Sequence, residues 1–307
     1  MGYIAGIGGA NMDIHGKGER ALVMRDSNPG SLHMSLGGVC RNICENLARL
    51  GEQVRLISVV GDDVYGRSII AGCEQAGIDM SAVRMLAGER SSSYVSIMDA
   101  DGDMLLAMSD MHIIKRLDER LVDEYEQVLC GAEMVVCDGN LSAKTMERLT
   151  EICTSPLYVD PVSTAWAKEL RPFIGRFDTV KPNRMELEAL TQMSVESMAD
   201  VERACDALLA RGVRRVFVSL GAQGMFYKGH EGALHERNRP FTHMVNATGA
   251  GDASMAGIIW ASRQGLTARE TAHAGMAAGM IAIASPDTIS KDMSPRNIEI
   301  MIKEYIV

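Results

Sequence analysis

The sequence predicts an α/β fold, in which a mostly parallel central sheet has helices on both faces. Short apolar runs that are typical of buried strands alternate with helix-like stretches along almost the whole chain. This βαβα order favours a parallel sheet, because each crossover helix packs on one face of it. No linker separates two large domains, so residues 1–307 are expected to form a single domain.

The elements follow from local patterns of apolar and turn-forming residues. Strands are predicted at 3–9, 54–60, 133–138, 157–160, 178–181 and 214–220. Helices are predicted at 39–50, 65–75, near 142–152, from 184 and at 199–210. A hairpin is predicted at 224–236, with its turn around 229–232.

Two segments interrupt the alternation of strands and helices. Residues 14–36 contain no helical pattern, and residues 91–108 alternate on both sides of the turn signal Asp101-Gly102. We therefore expect strands inserted at about 14–36 and 91–112 to form a small β-sheet lid outside the central sheet. Unpaired strand edges and apolar surface on this lid predict a homodimer that forms through it.

Composition argues against several classes of protein. A formal net charge of -9 argues against a nucleic-acid partner, and no apolar run reaches the length of a membrane span. The seven cysteines form no C-x-x-C pair, and the seven histidines show no metal-binding spacing. The first residues lack the cationic start of a signal peptide, so we expect a cytoplasmic protein with no membrane partner.

The stretch NATGAGDASMAG, at 246–257, carries the strongest chemical signal. A glycine-rich turn that opens a helix presents backbone N–H groups to an anion such as phosphate. Asp252 follows the turn, where a carboxylate can accept a proton from a hydroxyl that attacks phosphorus. The alternative is a carboxylate that only complements the helix dipole. A Walker A loop is absent from the sequence, and GIGGANMD (6–13) lacks the third glycine of a dinucleotide-binding motif.

Five motifs together resemble the ribokinase-like PfkB family of carbohydrate kinases. GGVCRNICENLARLG (37–51) resembles the N-terminal signature of the family, and NATGAGD (246–252) resembles its C-terminal signature. The motifs between them, in the family's order and approximate spacing, are VVGDDVYG (59–66), KPNRMELE (181–188) and VSLGAQG (218–224). The resemblance covers essentially the whole chain. It implies a ribokinase-like three-layer sandwich with ATP and Mg²⁺ as cofactors.

The resemblance also implies roles for individual residues. Asp252 would be the catalytic base, and Gly249, Ala250 and Gly251 would form the anion hole for the phosphoryl group. The residues implied to bind sugar hydroxyls are Asn11, Asp13, Gly37, Gly38 and Asn42. The residues implied to bind the nucleotide are Asn183, Glu186, Ser219, Gly221, Gly224, Thr248 and Met276. Glu186 would also reach Mg²⁺ through water.

Two of these motifs also permit a purely structural interpretation, and one position departs from the family. Asn183 and Glu186 match a helix capping box, and the Asn11–Asp13 stretch suits a turn. Asn246-Ala247 stands where ribokinases commonly carry Asp-Thr. A K⁺ site beside Asn246 would therefore lack the formal charge and depend on backbone carbonyls.

Weaker matches indicate a substrate. The stretches DSNPG (26–30), SSSYVSIMDADGDMLLAMSDM (91–111) and VDPVS (159–163) resemble family members that phosphorylate the nucleoside pseudouridine. We therefore expect ATP-dependent phosphorylation of its 5′-hydroxyl. The candidates for contacts with the base are Ser93, Tyr94, Asp110, Met111 and Asn140. The alternatives are a kinase for another nucleoside or sugar, such as ribose, adenosine or fructose, and a nucleoside-binding regulator without catalysis.

Overall fold

The computed structural model describes residues 2–101 and 103–306. The strands in this part of the chain are β1 (Ile4–Ile7), β2 (Asn11–Gly18), β3 (Gly30–Gly37), β4 (Val54–Gly61), β5 (Ile78–Asp79), β6 (Val83–Leu86), β7 (Ser93–Met98), β8 (Met104–Asp110), β9 (Met134–Asp138), β10 (Leu157–Asp160), β11 (Thr179–Val180), β12 (Arg215–Ser219), β13 (Met225–Gly229) and β14 (Gly232–Glu236). The α-helices are α1 (Val39–Arg49), α2 (Val64–Gln75), α3 (Glu119–Glu124), α4 (Glu126–Cys130), α5 (Ala143–Ile152), α6 (Thr164–Leu170), α7 (Arg184–Thr191), α8 (Met198–Ala210), α9 (Ala250–Arg263), α10 (Ala268–Ile283) and α11 (Pro295–Tyr305).

The central sheet is mostly parallel, as predicted. Its strand order is β14-β13-β12-β11-β10-β9-β1-β4-β5, with β6 also paired to β4. The strands from β12 to β5 pair in parallel, and the hairpin β13–β14 extends one edge antiparallel. Because parallel strands end at the same edge, the chain segments that follow β1, β9, β10, β11 and β12 lie side by side.

Helices cover both faces of this sheet, which confirms the predicted three-layer sandwich. Side chains alternate along each strand, so Ile4 of β1 packs in one hydrophobic core while Ala5 and Ile7 pack in the other. Helices α1, α9 and α10 contribute to the core of Ile4, and helices α5, α7 and α8 contribute to the core on the opposite face.

A second sheet, called the lid sheet below, has the strand order β3-β2-β7-β8. Strand β2 begins at Asn11, earlier than the predicted residue 14, so the sugar-binding candidates Asn11 and Asp13 lie on a lid strand. Strands β7 and β8 pair antiparallel, as the predicted hairpin requires. Gly102, in its predicted turn, lies outside the described residues.

Five α-helices of the described chain were not predicted, namely α3, α4, α6, α10 and α11. Helices α3, α4 and α6 have six, five and seven residues. Each is too short to display two full turns of amphipathic periodicity, which is the signal that identifies a helix from sequence. Within the described residues, no helix is long and apolar enough to cross a membrane.

The way the helices begin separates two of them from most others. Most helices begin at a residue whose side chain accepts a first-turn N–H, such as Asp63 for α2 and Ser142 for α5. Helices α1 and α9 begin instead at Gly38 and Gly249, without a capping side chain. Their first-turn N–H groups are therefore left to other partners, and both helices begin at the edge where the parallel strands end.

Candidate active site

The start of α9 lies between two cavities. A larger cavity, of about 830 Å³, borders Ala250 and Gly251. A smaller cavity, of about 410 Å³, borders Thr248, Gly249 and Asp252. The turn predicted to bind a phosphate therefore borders both cavities. The carboxylate predicted to act as a base borders the smaller one, within the same helical turn.

Backbone geometry explains why this turn needs a glycine. Gly249 has φ 80°, in the left-handed region, and a Cβ at this position would lie 2.3 Å from the carbonyl oxygen of Thr288. No described residue accepts the N–H groups of Gly251 and Asp252 in the first turn of α9. These two donors, at the positive end of the helix, suit an anion such as a phosphoryl group.

Asp252 is a buried acid with an altered proton affinity. Its side chain lies in the first turn of α9, and Asn42 Nδ2 donates a hydrogen bond to its Oδ2 at 2.7 Å. Burial, followed by the nearby Asp160 carboxylate, raises the pKa of Asp252 to about 7, although Asn42, Lys181 and Arg41 act in the opposite direction. A carboxylate with a pKa near neutrality is well suited to general base catalysis.

The residues predicted to bind a sugar gather around the smaller cavity. Asn11, Asp13, Gly38 and Asn42 all line it. Asn11 Nδ2 donates to Asp13 Oδ1 at 2.5 Å, and burial raises the pKa of Asp13. Gly37 does not line the cavity, but a Cβ there would come within 2.3 Å of the Asp13 carboxylate. Its small size therefore leaves room for that carboxylate.

Of the four lid residues predicted to contact a base, Tyr94 and Met111 line the smaller cavity, and Ser93 and Asp110 do not. Ser93 and Asp110 are paired across β7 and β8, and neither lines the cavity. The next pair, Tyr94 and Ser109, lines it, as does Met111. Successive residues of a strand point to opposite faces, so Ser93 and Asp110 lie on the face of the lid sheet away from this cavity.

Three residues beyond the lid complete the wall of the smaller cavity. Asn140, which was predicted, follows β9, and its backbone N–H donates to Asp138 Oδ1 at 3.1 Å. Val162 and Trp166, which were not predicted, also line the cavity. Val162 has φ 67°, an unusual conformation for a β-branched residue, of the kind that concentrates at functional sites.

The larger cavity combines a polar end with an apolar end. The predicted nucleotide-binding residues that line it are Asn183, Ser219, Gly221, Gly224 and Met276. Unpredicted apolar side chains line it as well, among them Phe241, Met244, Met280 and Ile283. Thr248, predicted for this group, lines the smaller cavity instead.

The motif Asn183-x-x-Glu186 forms the capping box that the structural interpretation predicted. The Asn183 side chain accepts the Glu186 N–H, and Glu186 Oε2 accepts the Asn183 N–H, both at 2.9 Å. The other carboxylate oxygen of Glu186 receives no hydrogen bond from the described residues. Burial and the nearby Asp160 raise the pKa of Glu186. The cap therefore leaves one oxygen able to accept a hydrogen bond from a water of a hydrated Mg²⁺.

A buried ion pair that the sequence interpretation missed lies beneath the turn. Lys181 Nζ is 3.0 Å from Asp160 Oδ2, and both side chains are almost completely buried. Burial alone would lower the pKa of Lys181, but the carboxylates of Asp160, Glu186 and Asp252 together outweigh it and the pKa is raised. A Cβ on Gly251 would lie 3.6 Å from Lys181 Nζ. The chain therefore holds a fixed positive charge next to the proposed anion hole.

Asp138 is the second missed acid, and it positions three chain segments. Its Oδ2 accepts the backbone N–H groups of Gly9 and Cys40, at 3.0 and 3.1 Å. Its Oδ1 accepts the N–H of Asn140. Asp138 and Asp160 are both the last residues of buried strands, and this position at the carboxyl edge of a parallel sheet is the sequence signal that could have identified them.

Comparison with known proteins identifies the family. The profile described as pfkB family carbohydrate kinase matches residues 1–295. The chain belongs to this family. The predicted resemblance is therefore confirmed, and with it the class of reaction, which is phosphoryl transfer to a hydroxyl group of a carbohydrate or nucleoside.

Individual relatives within and around the PfkB family differ in the substrates that their names give. A pseudouridine kinase of Escherichia coli (strain K12) is 32% identical, and the match covers 96% of this chain and 95% of the length of that protein. A guanosine-inosine kinase of Exiguobacterium acetylicum is 28% identical, and the match covers 94% of this chain and 96% of the length of that protein. The structure of Arabidopsis thaliana ribokinase with ribose and ATP superposes with a TM-score of 0.84 at 20% identity, covering 98% of this chain and 99% of that one. This last likeness shows the ribokinase fold.

Proposed function

We propose that the protein transfers the γ-phosphoryl group of ATP to the 5′-hydroxyl of pseudouridine. The observation that carries this proposal is the position of the α9 start between two cavities. Gly251 borders the larger cavity, while the neighbouring Asp252 borders the smaller one. A phosphoryl donor and a hydroxyl acceptor can therefore approach the same helical turn from opposite sides.

The residues at the turn would act on the acceptor hydroxyl and on the developing charge. Asp252 accepts the proton of the 5′-hydroxyl as its oxygen attacks phosphorus in line with the departing ADP. The N–H groups of Gly251 and Asp252 stabilise negative charge on the phosphoryl oxygens, and the buried Lys181 ammonium adds a positive charge nearby. Glu186 would hold Mg²⁺ through water, and the ion neutralises phosphate charge when bound.

The lining of each cavity supports the assignment of its ligand. The apolar side chains Met276, Met280 and Ile283 of the larger cavity suit the flat face of adenine. In the smaller cavity, Asn11 and Asp13 offer the donors and acceptors that ribose hydroxyls need. The base would then lie among side chains that include aromatic rings and an amide, namely Tyr94, Met111, Asn140 and Trp166.

A panel of acceptors tests the substrate. ADP release should be fastest with pseudouridine and at least about tenfold slower with uridine, guanosine, inosine, adenosine, ribose and fructose. The guanosine-inosine kinase relative makes purine nucleosides the main alternative acceptors. Rapid turnover of one of these with none of pseudouridine would overturn the substrate. If no acceptor in the panel raises ADP release above the rate of ATP hydrolysis without acceptor, the result would favour a regulator without catalysis.

We propose that the protein is a homodimer formed through the lid sheet. The face of this sheet away from the smaller cavity exposes large apolar side chains, namely Leu32, Met34, Leu106 and Met108. Covering such a patch with a second copy removes apolar area from water. Light scattering at micromolar concentration should give the mass of two chains, and a monomer mass would contradict the proposal. We also propose a cytoplasmic location, in accord with the seven free cysteines.

We propose that any activation by K⁺ near Asn246 depends on backbone carbonyls. The Asn246 side chain is engaged at both ends, because Oδ1 accepts the Thr248 N–H at 3.0 Å and Nδ2 donates to the Pro286 carbonyl at 3.2 Å. It also lacks the formal charge of an aspartate. Rates compared in KCl and NaCl at equal ionic strength test this proposal, and equal rates would remove the cation from the mechanism.

A further inference from the structure

Among the described residues, Arg41 has the largest fully buried side chain, with 1% of its surface exposed. It lies on α1, next to Asn42, and its guanidinium reaches four acceptors. Nε donates to the Gly37 carbonyl at 3.1 Å, and Nη2 donates to the Leu36 carbonyl at 2.9 Å. Nη1 pairs with Glu45, and Nη2 also donates to the side-chain oxygen of Asn42. Arg41 lines neither of the two cavities.

The bond from Arg41 determines which end of the Asn42 carboxamide faces Asp252. A guanidinium has only donors, so the group of Asn42 that meets it must be the oxygen, Oδ1. Nδ2 then points away from Arg41, and it donates to Asp252 Oδ2 at 2.7 Å. With the carboxamide reversed, Oδ1 would face the carboxylate and repel it. The chain Arg41–Asn42–Asp252 therefore has one consistent arrangement of donors and acceptors.

The same guanidinium also holds the end of a lid strand. Leu36 and Gly37 are the last residues of β3, where the lid sheet returns to α1. Two of the four hydrogen bonds of Arg41 go to their carbonyl groups. The planar guanidinium is suited to this task, because its donors point in fixed directions to several acceptors at once. Movement of the end of β3 would therefore shift the Arg41 guanidinium and, through it, the Asn42 side chain.

We propose that Arg41 is a positioning residue, which orients the Asn42 carboxamide toward Asp252 and links this orientation to the lid strand β3. The inference depends on the proposed role of Asp252 as the base. It extends that role, because it names the residue that fixes the partner of the carboxylate.

The charges around Asp252 determine how a change at Arg41 would affect the pH dependence. Burial raises the pKa of Asp252 most, and Asp160, the last residue of β10, raises it further. Lys181, after β11, and Arg41 and Asn42, on α1, lower it. Removal of the Arg41 charge would raise this pKa further. A base must be ionised to act, so the acidic limb of the rate profile would move to higher pH.

Two substitutions at Arg41 separate charge from orientation. Arg41→Lys keeps the charge but cannot reach all four acceptors, so kcat should fall about 10- to 100-fold with KM for the nucleoside changed less than about threefold. The acidic limb of its pH–rate profile should lie at the same pH as in the wild type. Arg41→Met loses both properties, so kcat should fall at least as far and the limb should shift to higher pH. Rates measured from about pH 5 to 9 give both readouts.

Arg49→Met provides the matched control. Arg49 lies on the same helix and pairs with the same Glu45, but it donates no hydrogen bond to Asn42 or to β3. Its loss should leave kcat and the pH profile unchanged. Titration with ATP, which binds in the other proposed cavity, and thermal unfolding establish that each variant is folded. Arg41→Lys preserves the buried charge balance, so it carries the test where Arg41→Met does not fold.

The outcomes distinguish this inference from the proposed function. Asp252→Asn is measured in parallel. An inactive Asp252→Asn together with an Arg41→Lys enzyme within about twofold of the wild-type kcat would reject the role of Arg41 and leave the base in place. An active Asp252→Asn would reject the base itself. A fall in kcat for Arg49→Met equal to that for Arg41→Met would mean that general destabilisation of α1, not orientation of Asn42, causes the loss.

Discussion

The larger and the smaller cavity meet at the same helical turn, but different parts of the fold build them. The larger cavity is lined by segments attached to the central sheet and by α9 and α10. The smaller cavity has the carboxyl edge of the sheet on one side and strands β2, β7 and β8 of the lid sheet on the other. One cavity is therefore part of the packed core, and the other is shared between the core and an attached sheet.

This difference indicates how the two proposed tasks are divided. Packed elements hold a common phosphoryl donor in a fixed place, whereas a sheet outside the core can vary its inward-facing residues without changing the core. We therefore expect changes at the α9 turn to affect turnover with every acceptor. Changes on the lid should affect the choice and affinity of the acceptor and leave the nucleotide unaffected.

The largest expected effect is at Asp252. Asp252→Asn keeps the size of the side chain but cannot accept the hydroxyl proton, so kcat should fall by about 10²–10⁴. Binding of ATP and nucleoside should change little, because neither proposed cavity loses its shape. Asp206→Asn, an exposed acid on α8, is the control and should keep the wild-type rate. A near-normal rate for Asp252→Asn would exclude the carboxylate from the chemistry at both cavities.

The next effect concerns the turn that both cavities share. Gly249→Ala forces a Cβ toward the Thr288 carbonyl, 2.3 Å away, at φ 80°. The turn must shift, so kcat should fall about 100-fold and stability by about 1–3 kcal/mol. Gly51→Ala is a matched control, with φ 88° and no atom within 4 Å of the added Cβ. Gly51→Ala should lose stability but keep the wild-type kcat. Equal losses of kcat in both variants would contradict the role of the Gly249 turn.

Stability should depend on pH through the same carboxylate. The pKa of Asp252 is about 7 in the folded chain against an ordinary value of 3.8, so burial of the ionised form opposes folding. This free-energy cost to folding is absent below about pH 4 and grows until about pH 7, above which Asp252 is ionised in both the folded and the unfolded state. Asp252→Asn should therefore be more stable than the wild type at pH 8, by roughly 2–4 kcal/mol, and similar at pH 4. Urea unfolding at both pH values tests this, and an equal difference at both would contradict it.

Sequence motifs located the α9 turn well, because the chemistry there is local. A glycine followed by small residues and an acid specifies a left-handed turn, a helix start and a first-turn carboxylate, and Gly249 and Asp252 occupy those positions. The capping box of Asn183 and Glu186 is local in the same way. Asp160 and Lys181 meet only after β10 and β11 pair, so no spacing within either segment indicates their contact.

The sequence also left open which face of the lid strands meets the cavity. A strand with polar residues at even and at odd positions gives no preference for either face. Ser92 and Ser93 are both polar, and so are Ser109 and Asp110. Only pairing with β2, which places Tyr94 beside Asp13, determines the face that lines the cavity. The register of the lid sheet therefore could not be read from its own residues.

The smallest expected effect tests this register and the division between the two cavities together. Tyr94→Ala removes a ring from the wall of the smaller cavity, so KM for the nucleoside should rise about tenfold while KM for ATP stays the same. Ser93→Ala, one residue away and on the opposite face, should leave both constants unchanged. A larger effect from Ser93 than from Tyr94 would mean that the lid adopts the other register in solution. A rise in KM for ATP with Tyr94→Ala would mean that the lid also acts on the nucleotide cavity, and the two cavities could then no longer be treated as separate.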